Sequence, residues 1–509
     1  MTDISVDALV DALTDNGLRE WQDEVLTDDP LHFVDTQSYA ERLRSARQHN
    51  PHAEAVRAGF ATIGGHMCAL TLCDFDFMAG TLGIAAAERI ARTIVFATSR
   101  RLPVIGVCRS GGIRMQEGTP AFVRMMSLSA AIAEHREAGI PFITYLMDPS
   151  TGGALASWGS QGHLVLGQPG GLISLTGPRV AEIVGGGKVD PASLTSEAAL
   201  AHGLIDGVVS PSELRVTVTS LLDLLGSPRV LSRRIRKAPA YDPLAVERTG
   251  VWDSIARSRA DDRFGTEDLL DVNGEPFVEL RGDRLGHDEN GLITGFTQIA
   301  GHPVMLIGFR RRPSGRGASV GTAGYRKALR AMRVAEELRL PLVTVVDTAG
   351  APTGVDAELS GLAPAIGDCL TMLLTLRVPT MSVILGEGSG GGAIALLPAD
   401  AIIGLEHSWV APIAPEAGST ILFRSPEKAQ LVAESQRVGV FAMKQDELVD
   451  EIVPEDSDVP VETTLQRAID AVALHLWRLE AEHAADRLAR RRARIRSFSR
   501  QMLAIHPDD

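Results

Sequence analysis

Glycine pairs placed just past apolar runs are the residues of this sequence whose type and spacing could do chemistry: Gly111-Gly112, Gly152-Gly153, Gly350 and Gly391-Gly392. The first N–H groups of a helix lack intrahelical acceptors and carry the positive end of its dipole, so a backbone free of side chains there can approach a ligand oxygen closely. Two such turns on neighbouring strands make an oxyanion hole, a pair of donors aimed at a developing negative oxygen such as that of a thioester enolate. Gly111 and Gly152 are 41 residues apart, and Gly350 and Gly391 are again 41 apart, so the sequence predicts two holes of one design. A lone glycine pair is more often a tight turn only. The repeated spacing argues for function.

The turns need strands ahead of them and helices behind. Leu102–Cys108, Ile140–Met147, Leu342–Val346 and Val378–Leu385 read as buried strands, and they alternate with helical patterns in the manner of βαβ units with parallel strands. The chain also repeats itself. RLPVIGVCRSGG from Arg101 answers RLPLVTVVDTAG from Arg339, and IPFITYLMDPSTGGA from Ile140 answers VPTMSVILGEGSGGGA from Val378, both at an offset of 238. GTLGIAAAERIAR from Gly80 answers GTAGYRKALRAMR from Gly321 at 241. Three segments in one order at nearly one offset predict two homologous domains, about 1–235 and 240–509, joined near the polar stretch SRRIRKAPAYDP that starts at Ser232.

Several classes are disfavoured. With 50 Lys+Arg against 64 Asp+Glu the net charge is −14, against a protein that coats nucleic acid or an acidic membrane. Cys68, Cys73, Cys108 and Cys369 are too few and scattered for a disulfide framework, and no Cys/His cluster suits a metal; they read as core residues in a reducing cytoplasm. No secretory signal or membrane span is legible, and a soluble protein is expected. Gly386-Glu-Gly388-Ser-Gly390-Gly391 fits a dinucleotide fingerprint with Glu406 twenty residues on, but only 15 residues separate Leu385 from the strand-like AIIGL at Ala401, and Pro398 cuts the helix. A Walker lysine, a GxSxG elbow and an HExxH motif are missing.

DPLHFVDTQSYAERL from Asp29, FDFMAGTLG from Phe75, SGGIRMQEGTP from Ser110 and DPSTGGALASW from Asp148 together resemble the beta subunit of bacterial acetyl-CoA carboxylase carboxyltransferase. ELRGDR from Glu279, GYRKALRAM from Gly324, DTAGAPTG from Asp347, GEGSGGGA from Gly386 and APEAGSTILF from Ala414 resemble its alpha subunit. A beta-like half followed by an alpha-like half is similar to the fused carboxyltransferases. The resemblance implies an α/β fold of two homologous crotonase-type ββα superhelix domains. It implies transfer of a carboxyl group from carboxybiotin on a carrier protein to the α-carbon of an acyl-CoA, giving malonyl-CoA or an analogue.

The resemblance also assigns the holes. The Gly152/Gly153 turn, helped by Gly112, would hold the thioester enolate; the Gly391/Gly392 turn, helped by Gly350, would hold the ureido oxygen of biotin. The family is thought to need no protein base, since biotin freed of its carboxyl group can take the α-proton. Biotin carboxylase and biotin carboxyl carrier protein are the implied partners. In the fused relatives the acyl-CoA half of one protomer faces the biotin half of another, which implies at least a dimer. Two departures stand out: the four-cysteine zinc ribbon usual in bacterial beta subunits is not found here, and DTAG replaces the more usual DTPG.

Arg114 and Arg179 match family positions near the CoA site and are expected to meet CoA phosphates, with structural ion pairing as the alternative; Lys188 is a weaker candidate. Glu117 and Glu387 could suggest the paired acids of a hydratase, but charge placement at helix N-termini is the preferred reading. FAMKQ around Lys444 is similar to a biotinyl-lysine tripeptide without its second methionine and is rejected as one. The basic run RLARRRARIRSFSR from Arg487 reads as a solvated or subunit-packing helix, with a dock for an acidic partner as the alternative. Against the lead reading stand a malonate decarboxylase-type carboxytransferase and a catalytically silent scaffold subunit.

Overall fold

A computed structural model describes residues 4–21, 24–177, 188, 190–226, 249–311 and 316–498. They fall into two compact units, Met1–Asp223 with Arg284–His287 and Leu224–Asp283 with Asp288–Asp509. The expected joint at Ser232 lies outside the described residues.

Each sheet is built on an antiparallel hairpin that follows a few short elements. In the first, β1 (Val56–Ile63) and β2 (His66–Cys73) meet through Gly64-Gly65, both at positive φ, the conformation that a two-residue turn needs to match strand twist. Parallel strands then add one at a time: α1 (Ile84–Arg100) leads to β3 (Val104–Ser110), and α2 (Gly118–Glu137) leads to β4 (Phe142–Thr151) and β5 (Leu164–Gly167). The second unit repeats this. Its hairpin is β6 (Leu292–Ile299) and β7 (His302–Phe309); α3 (Thr322–Leu338), β8 (Leu342–Thr348), α4 (Leu362–Leu373), β9 (Thr380–Ser389), the five-residue α5 (Gly390–Ile394) and β10 (Ala401–Leu405) follow. In both sheets the main strands stand in chain order, so each crossover steps to the next neighbour and the chain winds as a superhelix.

The strands are apolar on both faces because helices and loops cover both, as parallel sheets require. Ile90, Leu128, Phe142 and Trp158 anchor the first core; Leu306, Val343, Met381 and Leu476 anchor the second. The four strands identified from sequence exist. Each runs further towards its C-terminus than the apolar run does, because small polar residues at the end stay in the ladder: Ser110 pairs Ser150, and Thr348 pairs Gly388.

At the C-terminal end, α6 (Val461–Glu480) and α7 (Ala484–Ser497) form two helices. The basic run on α7 is divided: Arg490, Arg492 and Arg496 are exposed, whereas Arg487, Arg491 and Arg494 turn into the unit. Arg491 is fully buried, ion-paired to Asp400 at 2.6 Å, and donates to the carbonyls of Leu373, Leu376 and Val378. Arg487 donates to the carbonyls of Leu479 and Arg377, and Arg494 to that of Leu448 while pairing with Asp450. These arginines satisfy the orphan carbonyls at the end of α4, as cations near a helix C-terminus do. Lys444 lies on a short helix, Val440–Gln445, with its Nζ on the Asp450 carbonyl, which agrees with its rejection as a biotin site.

Candidate active site

At the end of β3 the ladder skips Arg109, a local irregularity that turns the chain towards the next segment. Gly112 follows at φ +112°, and its N–H donates to Ser110 Oγ at 3.0 Å. Next door, β4 ends at Thr151; Gly152 follows at φ +63°, and its N–H donates to the Leu175 carbonyl at 3.1 Å. A methyl group on Gly152 would stand 3.1 Å from Gly112 Cα, and one on Gly112 would stand 3.5 Å from Gly152 Cα. The two turns therefore converge backbone to backbone, with no room for a side chain between them. Since Gly112 and Gly152 spend their own N–H groups internally, the donors left for a ligand are one residue on. Among the described residues the N–H groups of Ile113 and Gly153 meet no protein acceptor.

The second unit builds the same cradle. The ladder skips Asp347, Gly350 follows at φ +112°, and its N–H donates to Thr348 Oγ1 at 3.1 Å. Gly390 follows β9 at φ +66°, and a methyl on Gly350 would stand 3.4 Å from the Ser389 carbonyl oxygen. The free donors are the N–H groups of Ala351 and Gly391, among the described residues.

Geometry corrects the register read from sequence. The φ values match Gly112 to Gly350 and Gly152 to Gly390, a separation of 40 residues in both units rather than the 41 that joins Gly111 to Gly152 and Gly350 to Gly391. Gly391 is thus the counterpart of Gly153, and Gly392 the counterpart of Ala154. Gly392 belongs to the turn but carries a different constraint, a side chain packed where its own would be: a methyl there would lie 2.7 Å from Tyr325 Oη and 3.1 Å from the Ala351 nitrogen.

Arg114 does not rim the cradle. Its guanidinium is fully buried, paired to Glu54 at 2.7 Å and Glu117 at 3.1 Å, with further bonds to the Tyr39 hydroxyl and the Thr81 carbonyl and the Phe77 ring 5.5 Å away. With its donors engaged this way it has no face for a phosphate, and the structural alternative holds. Glu117 also accepts from Thr27, Tyr39 and the Ile84 N–H, so it caps α1 as the helix-terminus reading expects. Burial pushes the Tyr39 phenol up. Glu387 departs from that reading. It sits on β9, fully buried between Arg259 and Arg316, and Arg259 also pairs with Glu416. Arg179 lies outside the described residues, and Lys188 is exposed.

Three features escaped the sequence. Met78, Ala79 and Gly80 form a left-handed run at φ 50–60°, and the Ala79 carbonyl accepts the Gly111 N–H at 2.9 Å, so a strained loop braces the first cradle. No residue-type signal marks such a run when only one of its three members is glycine. Arg109, at the ladder break, lies over Phe75 and donates to the Asp148 carbonyl. Asp347 stands at the matching break, fully buried, accepting from Arg311 at 2.6 Å and from the Glu387 N–H at 2.9 Å; burial pushes its carboxyl up against the pull of both.

Among the described residues no group of His, Cys, Asp and Glu could hold a metal, and no helix is long and apolar enough to cross a membrane. All four cysteines are buried and free.

A family described as carboxyl transferase domain matches residues 19–223, and one described as acetyl co-enzyme A carboxylase carboxyltransferase-like matches residues 236–499. The probable biotin-dependent acyl-coenzyme A carboxylase beta3 subunit of Mycobacterium tuberculosis is 40% identical over 501 residues, covering 97% of this chain and 99% of that protein. The acetyl-coenzyme A carboxylase carboxyl transferase subunits beta/alpha of Salinispora arenicola are 38% identical over 495 residues, covering 94% and 87%. Among solved structures, the transcarboxylase 12S hexamer with methylmalonyl-coenzyme A and methylmalonic acid bound superposes with a TM-score of 0.74 over 94% of this chain and 90% of that one. At 19% identity that likeness is one of fold.

Proposed function

The chain belongs to the biotin-dependent acyl-CoA carboxylase carboxyltransferase family, and from that premise we propose that its two cradles divide one reaction. Ile113 and Gly153 would hold the thioester oxygen of the acyl-CoA, and Ala351 and Gly391 would hold the ureido oxygen of biotin presented by a separate carrier protein. One observation supports the division above others: among the described residues each unit has its own pair of N–H donors without a protein acceptor, on turns whose glycines share the same positive φ. Bound there, biotin supplies the carboxyl group to be moved.

The residues fit both groups. Each oxygen gains two N–H donors held by backbone, and such donors cost no reorganisation when charge develops. In the first unit they stabilise negative charge on the thioester oxygen as the α-carbon becomes nucleophilic. In the second they draw charge onto the ureido oxygen, which loosens the bond to the departing carboxyl group. The two carboxylates that flank the glycines in sequence, Glu117 and Glu387, are consumed in buried ion pairs and are not offered to the reacting atoms. Acetyl-CoA or another acyl-CoA, carboxylated to malonyl-CoA or its analogue, is the substrate of this reading, with biotin carboxylase and the carrier as partners and an oligomer as the working form.

The test is reconstitution. Purified chain, biotin carboxylase, biotinylated carrier, ATP and labelled bicarbonate are offered acetyl-, propionyl- and longer acyl-CoA. Carrier-dependent label in the acyl-CoA supports the reading. Carrier-independent decarboxylation of malonyl-CoA with no incorporation would replace it with a decarboxylase, and a complex equally active without this chain would leave it a scaffold.

A further inference from the structure

The second cradle rests on an unpaired hydroxyl. Tyr325, on the first turn of α3, is fully buried, and its Oη has no hydrogen-bond partner among the described residues. Burial pushes the phenol up, so it stays protonated and remains a donor. Its ring reaches under the N-terminus of α5, where Gly392 has no side chain: Oη lies 2.7 Å from where a methyl on Gly392 would be, a point itself 3.1 Å from the Ala351 nitrogen and 3.4 Å from the Gly350 carbonyl carbon. Both atoms belong to the peptide that carries the Ala351 N–H, one of the two free donors, and Gly391, which carries the other, precedes Gly392 in the chain. In the first unit the corresponding pair is Ala87 and Ala154: α1 starts at Ile84 and α3 at Thr322, an offset of 238 that corrects the 241 at which their motifs align in sequence. Two small side chains there are exchanged for one large side chain and none here, which adds both bulk and a polar atom.

Volume alone does not require that atom. A phenylalanine fills the same space, and a buried hydroxyl without a partner destabilises the fold relative to one. A group that costs stability and sits under a donor pair calls for another role. We propose that Tyr325 is the positioning residue of the second cradle: its hydroxyl, not its ring, sets the spacing and local field of the Ala351 and Gly391 N–H groups. The hydroxyl is enclosed and acts through the turn. It supplies a fixed dipole in a dry site, where dipoles act on charge far more strongly than in water. This rests on the division of labour proposed above and deepens its biotin side.

Tyr325→Phe tests it, read by thermal unfolding and by steady-state kinetics in the reconstituted complex. Unfolding is expected at the same temperature or higher, because the variant removes an unpaired polar atom. Carrier-dependent kcat is expected to fall roughly tenfold through the loss of one fixed dipole beside the donors, with KM for acyl-CoA unchanged. A melting temperature lowered by several degrees would make the hydroxyl structural and overturn the assignment whatever the activity. A variant as active as the unaltered chain, or a raised KM for acyl-CoA at constant kcat, would overturn it too. Failure of the unaltered chain to carboxylate any acyl-CoA removes the functional reading and this assignment together, whereas an active chain with an indifferent variant removes this assignment alone.

Discussion

The two units share a turn and differ in what lies beneath and beside it. In both, a hydroxyl one residue past the ladder break accepts the N–H of the positive-φ glycine: Ser110 for Gly112, Thr348 for Gly350. At the break itself the charge inverts, from Arg109 in the first unit to Asp347 in the second. The aromatic support changes place. In the first unit Trp158, on a π-turn just past the cradle, packs against Gly106, where a methyl would stand 2.5 Å from its ring. The matching positions in the second unit are Leu396 and Thr344, and Thr344 Oγ1 donates to the Leu396 carbonyl at 2.7 Å. The second unit has its aromatic, Tyr325, on the other side. What duplication preserved is therefore a backbone path and its glycines; what diverged are the side chains that tune charge around it. An oxyanion donor is a main-chain group, so its geometry survives wide sequence change, while the ligand it serves is chosen by neighbours.

The buried ion clusters offer the hardest blow to this comparison. Arg114 in the first unit holds together Glu54 and Glu117, and its removal strands two carboxylates in a space closed to water. Arg114→Ala should cost about 3–5 kcal/mol of stability, the usual loss when one partner of a buried pair is deleted. In the second unit Lys327 pairs with Asp288 at 2.8 Å and donates to the Leu292 carbonyl, so it serves one carboxylate and should cost less when replaced by Met. Denaturant unfolding of both variants measures the order. A well-folded Arg114→Ala protein with a raised KM for acyl-CoA would return that arginine to the CoA rim.

Proline at the donor positions separates the two cradles by function. Gly153→Pro and Gly391→Pro each delete one N–H, and at Gly153 the added Cβ also runs into the Ile113 side chain, so turnover should fall by at least ~10²-fold in both, with thermal unfolding measured beside it to separate the lost donor from a distorted turn. The comparison lies in what survives. The first variant should keep its affinity for the biotinylated carrier, and the second its affinity for acyl-CoA, each measured by titration. Normal carboxylation by the Gly391 variant would leave the chain with one working hole.

These contrasts mark where the sequence could be read. The strands, the duplication and the turns were legible because apolar runs and glycines recur at a fixed offset. The one-residue slip in matching Gly152 to Gly391 arises because a run of glycines has no side chain to give it phase; only φ distinguishes Gly390 from Gly391. Arg114 was ambiguous because its partners, Glu54 above all, are brought to it by the fold from 60 residues away. The basic C-terminal helix looked like a surface because net charge along a helix does not say that Asp400 and a row of carbonyls wait beneath it. Tyr325 stands opposite Ile84 when the two motifs are aligned in sequence and opposite Ala87 only once the helix bounds are known, so the contrast with Gly392 became readable only in the packing.

Acid gives the mildest test, and His135→Leu isolates the first unit's share of it from that of His407, which burial also pushes down in the second. His135 on α2 is fully buried, with Nδ1 at 2.8 Å from Thr98 Oγ1, Nε2 at 3.2 Å from the Pro141 carbonyl and the Phe142 ring edge-on. Burial pushes its pKa down to about 4, helped by nearby His163 and opposed by the Pro141 carbonyl. The unfolded chain titrates this group near 6.5, so between about 6.5 and 4 the unfolded state binds a proton that the folded state refuses. Stability is then fully present above 6.5 and falls as pH drops, by about 1.4 kcal/mol per pH unit, or about 2 kcal/mol by pH 5. The matching helix of the second unit, α4, carries no histidine. His135→Leu should therefore lose some stability at pH 7, where two hydrogen bonds go, yet show a flatter decline from pH 6.5 to 5 than the unaltered chain. Unfolding curves at those pH values decide it: parallel declines would mean that His135 is not what makes the first unit sensitive to acid.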